Sequence, residues 1–430
     1  MASTPATAAA DFSGPAITTI MIATVYPLTP GQFDAVFGTY GRAFMNAHVL
    51  AVTLVLDEPV NRRRLAHALA ELRRRHPALR ARLDASGEAE DCRQIVDPAD
   101  RNMAETAIHT ISEEVDSGHV ADLLSGGLVE LARDFDVVEG RTWGVVVART
   151  ASVSYLVLAF THFVSDLLSV MMVGREFAHL YNGHAVAGSD GDGYDTYLSE
   201  IATARQSTAR NPDVNWWLHR PWTEMAAVPG LSSEPVAEQD WTERVESIPH
   251  TARLTHLDVI AAVGRSLRDI CGLARTRVDV ASHGRLTRTR WSAIGCIARV
   301  VPYFINWHGD PSPAGVAGQL DEAKAREPAW DAAFPAVRRL PAVSVDKQLG
   351  AHAFVNFHGS IDATRYVTPP FALSPVRPTI SRPPRFPFTP FRLTVRRTGP
   401  HWTLFWRHNT FTDDAVPSAV VARTTALLRS

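Results

Sequence analysis

The run from Tyr155 to Met172 narrows the possible folds more than any other stretch of this chain. Tyr155 to Phe160 is short, apolar and free of Gly and Pro, which predicts a buried strand. Val164, Leu167, Leu168 and Met171 then recur at three- and four-residue steps, the spacing of a helix with one apolar face. Thr161 and His162 stand between the two patterns, so a histidine is expected at a strand end beside a helix start. His162 and Asp166 are four apart, and in a helix beginning near residue 163 the carboxylate lies about one turn from the ring. Asp166 then either touches the imidazole or turns to another partner. The plainer reading of these residues is a satisfied core histidine and an acid on a helix face.

A chain of 430 residues exceeds the size at which one core stops growing, which predicts two domains. The Gly- and Asp-rich stretch 187–193 is the best linker, separating an N-terminal lobe (18–186) from a C-terminal lobe (194–430). Residues 1–17 are rich in Ala, Thr and Ser with no positive charge ahead of an apolar run. They are expected to form a disordered tail rather than a signal peptide. With a net charge of −2 and 20% charged residues, nothing in bulk favours nucleic acid or an anionic membrane. No apolar run approaches the roughly 20 residues that cross a bilayer. Cys92, Cys271 and Cys296 are isolated, without CxxC spacing, which argues for a reducing compartment, the cytoplasm, and against a thiolate metal site.

Elsewhere the patterns predict a strand over 49–56 and a helix over 61–75 with Leu65, Leu69 and Leu72 on one stripe. A further helix is expected over 115–132, and a hairpin of 143–149 with 152–159. The helix beginning near Ser165 should run to Tyr181-Asn-Gly183, with the glycine as its C-cap. The C-terminal half should hold helices over 194–205, 255–268 and 414–428. Its strands are expected at 277–281, 300–305 and 351–357, with a closing hairpin of 391–395 and 402–407 after a proline-rich excursion, 368–390. No internal sequence repeat is visible. The 61–75 helix carries Arg62, Arg63, Arg64, Arg73, Arg74 and Arg75 on its other faces, which reads either as a solvated face or as a docking site for an acidic or phosphate-bearing partner.

Taken in order, these landmarks resemble the condensation domains of nonribosomal peptide synthetases, within the chloramphenicol-acetyltransferase-like superfamily of acyltransferases. The resemblance runs through Leu28-Thr-Pro-Gly-Gln32, Arg75-His-Pro-Ala-Leu-Arg80, and Thr161-His-Phe-Val-Ser-Asp-Leu167, the counterpart of the family's His-His-x-x-x-Asp-Gly motif. It continues through Tyr194-Asp-Thr-Tyr197, Gly284-Arg285, Ile294-Gly295 and Phe354-Val-Asn-Phe357. It implies an α/β (α+β) fold of two related lobes in a V-shaped pseudo-dimer with a tunnel between them. It also implies that His162 assists attack of an amine or hydroxyl on a thioester, and that Asp166 is structural, paired to Arg285. An imidazole suits that work, because it titrates near neutrality and can hold or take the acceptor's proton. A nucleophilic mechanism has less support: there is no G-x-S-x-G elbow, and no Cys lies near His162 in sequence.

Three positions depart from the family pattern. Thr161 replaces the first histidine. Leu167 replaces the glycine after the aspartate, which is expected to narrow the space beside His162. Arg299 replaces an asparagine, and its guanidinium suits a carboxylate or phosphate unless it is a tunnel-rim or surface arginine. With Asn356, these residues are the substrate-binding candidates.

The resemblance therefore implies a stand-alone condensation enzyme of secondary metabolism, acting as a monomer. It would move an acyl or aminoacyl group from the phosphopantetheine of a partner acyl or peptidyl carrier protein to a small-molecule acceptor, with no bound cofactor or metal. Carrier proteins of this kind are typically acidic, so Arg62, Arg63, Arg73 and Arg74 are the docking candidates. Two alternatives are a coenzyme A-dependent acyltransferase of the same fold and a catalytically silent relative that recruits another enzyme.

Overall fold

The computed structural model describes residues 23–38, 45–88, 91–99, 107–114, 117–186, 192–207, 210–223, 225–231, 241–249, 254–340, 351–359, 367, 369–374, 376, 378–379, 389–409 and 411–430. In chain order the first half contains β1 (Thr24–Pro27), α1 (Pro30–Phe33), β2 (Val49–Leu56), α2 (Arg62–Arg75), β3 (Ala81–Asp84), β4 (Arg93–Val96), β5 (Ala107–Glu114), α3 (Val120–Arg133), β6 (Trp143–Arg149), β7 (Ser154–Thr161) and α4 (Leu167–Tyr181). The second contains α5 (Asp192–Gln206), α6 (Pro212–Leu218), β8 (Thr242–Pro249), α7 (His256–Cys271), β9 (Arg275–Ser282), α8 (Arg288–Trp291), β10 (Arg299–Asn306), α9 (Pro313–Arg326), α10 (Trp330–Arg338), β11 (Ala353–Gly359), β12 (Phe371–Leu373), β13 (Phe391–Thr398), β14 (His401–His408) and α11 (Ala415–Arg429).

Three sheets organise these elements: β12-β2-β7-β6-β5, β10-β9-β11-β13-β14-β8, and a small β1-β4-β3. The two large sheets repeat one scheme. β2 runs antiparallel to β7, β7 antiparallel to β6, and β6 parallel to β5. In the same way β8 runs antiparallel to β14, β14 antiparallel to β13, and β13 parallel to β11. A helix follows the corresponding strand each time: α2 after β2 as α7 after β8, and α4 after β7 as α11 after β14. Two halves of related topology are thus built from sequences with no visible repeat, because a fold constrains the apolar period and not the residue identities.

The strand β7 is a continuous apolar run because its sheet is covered on both faces. Leu156, Leu158 and Phe160 join the large core beneath α2 and α4, while Val157 and Ala159 pack into a separate cluster with Leu124, Leu128 and Leu131 of α3. Successive side chains of a strand point to opposite faces, so one strand serves two cores, and each fully buried Leu, Val or Phe contributes about 1.5–3 kcal/mol.

Several expectations are corrected. α3 starts at Val120 rather than near 115, because the chain is still in β5 as far as Glu114 and then makes a short 3-10 turn, Ser117–His119. Within the expected linker, Asp192 and Gly193 already belong to α5, whereas 187–191, like the tail 1–17, fall outside the described residues. The proline-rich excursion is also not wholly irregular. Its β12 pairs antiparallel with β2, Phe371 opposite Leu56 and Leu373 opposite Leu54, and the Phe371 ring packs edge-on against Phe177 and Tyr181 of α4. A strand from the C-terminal half therefore completes the N-terminal sheet, and a lobe boundary at 187–193 does not partition the strands. Among the described residues no helix is long and apolar enough to cross a membrane, and no group of three or more His, Cys, Asp or Glu is arranged to hold a metal.

Candidate functional site

His162 sits one residue past the end of β7, in a turn fixed from several sides. Its backbone N–H donates to the His48 carbonyl at 2.7 Å, extending the β2–β7 ladder by one bond, and Val164 N donates to the Thr161 carbonyl at 3.2 Å to close the turn. The Ser165 hydroxyl donates to the same carbonyl at 3.1 Å. Gln32 braces the turn from α1: its Nε2 donates to the Phe163 carbonyl at 3.1 Å, while its Oε1 accepts from Thr29 N at 3.0 Å. That last bond is half of a capping box, since Gln32 N donates in return to the Thr29 hydroxyl.

The helix α4 begins at Leu167, not near 163, and this separates His162 from Asp166. Asp166 is the N-cap, extended at φ −128°, ψ 176°, with Ser169 N donating to its Oδ1 at 2.8 Å. Of the two arrangements open to it, the carboxylate adopts the one turned away from the ring. Arg285 Nη1 donates to Oδ2 at 2.9 Å and Nη2 to Oδ1 at 3.0 Å, while Ile297 N and Ala298 N donate to Oδ2 at 3.0 and 2.9 Å. Burial alone would raise the Asp166 carboxyl. The Arg285 charge and these hydrogen bonds outweigh it and hold the group below the usual carboxylate range. Arg285 is itself fully buried, and its Nη2 also donates to the Ser169 hydroxyl at 2.7 Å and the Ala293 carbonyl at 3.1 Å. The preceding Gly284 has φ +67°, and a Cβ there would stand 2.1 Å from the Ile297 carbonyl oxygen, so glycine is required for the arginine to enter.

The His162 ring is half-buried and has two neighbours that the sequence did not announce. The His48 imidazole packs against it at 4.4 Å between centroids, tilted by 56°. On the other side, Cys296 Sγ lies 3.5 Å from His162 Nδ1. A cysteine therefore does adjoin the histidine in space, although none is near it in sequence. Burial, followed by the negative charge of Asp166, pushes the Cys296 thiol well up, so it is a protonated thiol and not a ready nucleophile.

The substrate-binding candidates part company. Leu167 is 41% exposed at the first position of α4, so its side chain is available to a ligand. Asn356 is half-buried on β11 opposite Thr394. Thr161 is buried at the end of β7, with its hydroxyl facing away from solvent. Arg299 is neither a substrate clamp nor a rim residue. It is 2% exposed, its Nη1 donates to Asp331 Oδ2 at 2.6 Å, its Nη2 donates to the Glu327 carbonyl at 3.2 Å, and the Glu327 carboxylate stands 3.7 Å away. Its charge is spent inside the fold, which removes the expectation that it reads an anionic substrate.

On α2, Arg62 and Arg63 are exposed. Arg74 is held bidentately by Glu71 at 2.8 and 2.7 Å, Arg73 is half-buried, and Arg75 is buried against Glu176 at 2.6 Å. Of the docking candidates, Arg62, Arg63 and Arg74 thus present charge at the surface, Arg74 shared with Glu71.

Asp34, one residue past α1, was also missed. Burial pushes its carboxyl to about 7; the Arg338 and Arg277 charges oppose the rise and Asp279 adds to it. An acid raised in this way is more favourable protonated, so the contribution of Asp34 to stability falls as pH rises from about 4 to about 7 and levels off above. Asp34→Asn should match the parent near pH 4.5 and exceed it at pH 8 in denaturant unfolding. The same stability difference at both pH values would contradict this.

A match to the condensation domain family covers residues 22–304. An alignment 206 residues long, covering 45% of this chain, is 27% identical to nonribosomal peptide synthetase 5 of Gibberella zeae (strain ATCC MYA-4620 / CBS 123657 / FGSC 9075 / NRRL 31084 / PH-1) and spans only 2% of that protein. Among solved structures, the epimerization domain from the third module of tyrocidine synthetase B superposes with a TM-score of 0.71 at 13% identity, covering 95% of this chain and 96% of that one. The condensation domain from Monacolin K polyketide synthase MokA gives 0.68 at 15% identity, covering 94% and 97%. At these identities the superpositions speak for the fold alone.

Proposed function

This chain belongs to the condensation domain family, and on that premise we propose that it catalyses condensation-type acyl transfer, moving an acyl or aminoacyl group from a carrier-protein thioester to an amine or hydroxyl of a small acceptor. The observation that carries the reading is the division of labour in the turn after β7. Asp166 is fully engaged with Arg285 and three backbone N–H groups, while the adjacent His162 ring stays half-buried and within reach of a substrate. The chemistry is one displacement at an acyl carbon: the C–N or C–O bond forms, the C–S bond breaks, and the acceptor's proton ends on the leaving thiol. His162 provides positioned hydrogen bonding at that centre, and no metal is called for.

The test offers purified protein an acyl-loaded carrier and the same acyl group on coenzyme A, each with a panel of amines and alcohols, and follows product by mass. Product from the carrier thioester supports the proposal, and product from coenzyme A alone would replace it with the coenzyme A-dependent reading. Absence of product from either donor across the panel would favour a silent recruiter.

Carrier docking makes a separate prediction. Exposed Arg62 and Arg63 lie where an acidic carrier would meet positive charge, and rim charges act mainly on encounter rate and salt dependence. Reversing both to Glu should raise KM for the loaded carrier several-fold at low salt, with the difference shrinking at high salt and kcat unchanged. A KM that does not move at low salt would place the carrier elsewhere.

A further inference from the structure

The contact between Cys296 and His162 joins residues 134 positions apart. The thiol is enclosed rather than incidental. Cys296 is 0% exposed, its carbonyl accepts from the Thr29 hydroxyl at 3.0 Å, and a Cβ on Gly31 would stand 2.9 Å from Sγ. The two residues that follow it, Ile297 and Ala298, are tied by their N–H groups to Asp166. The sulfur is thus fixed in place by the same carboxylate that caps α4, and it meets the ring at Nδ1.

Such a contact can run in two directions, S–H to nitrogen or N–H to sulfur. A neutral imidazole nitrogen is a strong acceptor and a thiol sulfur a weak one, which favours S–H donating. Only a thiolate would reverse this, and burial together with the Asp166 and Asp34 charges opposes the thiolate. We propose that Cys296 is a positioning residue for His162: its S–H donates to Nδ1, so the neutral ring carries its proton on Nε2 and meets the reacting carbonyl as an N–H donor rather than as a base. The inference rests on the acyl-transfer reading above. Under it, an amine arrives as the free base and its nitrogen attacks the thioester carbon to form the C–N bond. The carbonyl oxygen, now negative, accepts from Nε2–H. The C–S bond then breaks, and the proton shed by the amine leaves on the sulfur of the departing thiol. Charges and protons balance, and nothing is oxidised.

Infrared spectroscopy tests the hydrogen bond without reference to turnover, because the S–H stretch falls in a window clear of other protein bands. Subtracting the spectrum of Cys296→Ser from that of the parent isolates the Cys296 band. The same subtraction made in a His162→Ala background isolates it without the imidazole. The band is expected at lower frequency when the imidazole is present, and the same frequency in both backgrounds, or no S–H band in the parent, overturns the proposal. The kinetic counterpart is a rescue. Cys296→Ala should lower kcat about tenfold with KM little changed, a fraction of the ~10²–10⁴ that a whole positioned acid–base group supplies. Cys296→Ser, whose hydroxyl also donates to Nδ1, should recover most of that loss, and equal losses in both variants overturn the positioning role. Failure of the acyl-transfer reading looks different: the parent protein itself then gives no product from the loaded carrier, whatever the thiol band does.

Discussion

His162→Ala is expected to lower turnover by about 10²–10⁴-fold while the protein stays folded. The turn after β7 is held by the His162 backbone N–H on the His48 carbonyl, by Gln32 on the Phe163 carbonyl, and by Asp166 on Arg285. None of these bonds uses the imidazole. The ring's contacts include the tilted His48 ring and one weak hydrogen bond with Cys296 Sγ, neither of which holds the turn's backbone in place. The measurement is kcat on a loaded carrier beside circular dichroism and thermal melting. Insoluble or molten protein would return His162 to the core, and parental turnover would remove it from the chemistry.

How much of this was readable in advance depended on the range over which each feature acts. β7 and α4 were legible because their signals are local: an apolar run without breakers, then a three-and-four spacing, with the break at His162 marking the junction. The start of α4 was misplaced by a few residues because Val164 sits on the helical spacing yet belongs to the turn; Asp166, an N-cap residue type, carried the truer signal. The pairing of Asp166 with Arg285 spans 119 positions, and only the family resemblance pointed to it.

Arg299 shows where motif reasoning fails. Its position relative to Ile294-Gly295 suggested a place near the reaction path, but a motif does not say which acid will stand opposite an arginine. Asp331 stands there, on α10, among the buried Trp330, Phe334 and Val337. An acid embedded in an apolar helical stripe is itself a sign of a buried cationic partner, and that sign was available in the sequence. No comparable sign marked Cys296 or β12. A lone cysteine has no local pattern, and a three-residue strand inside a proline-rich segment is too short to show a period.

Asp166→Asn and Arg285→Ala are each expected to destabilise the fold by about 3–5 kcal/mol, because each leaves one member of a buried ion pair without its charge partner. Both side chains are about 1% exposed, so water does little to screen the remaining charge. The two changes differ in what they strand. Asn at 166 keeps one oxygen to accept from Ser169 N or the Ile297 and Ala298 amides but leaves the Arg285 cation buried. Ala at 285 leaves a carboxylate that retains all three backbone donors, so it should be the milder of the pair. Because the residues act as a unit, the double variant should cost clearly less than the sum of the singles, which a double-mutant cycle measures directly. The pH dependence follows from the same pair. Asp166 is held below the ordinary carboxylate value of about 3.9, so its stabilisation is fully present above that pH and is lost as pH falls through the lower folded value. The parent should therefore lose more stability below about pH 4 than Asp166→Asn does, since carboxylates such as Glu176 keep their own acid dependence in both. Singles that unfold like the parent, or a double variant that costs the full sum, would mean that the pair does not hold the site together.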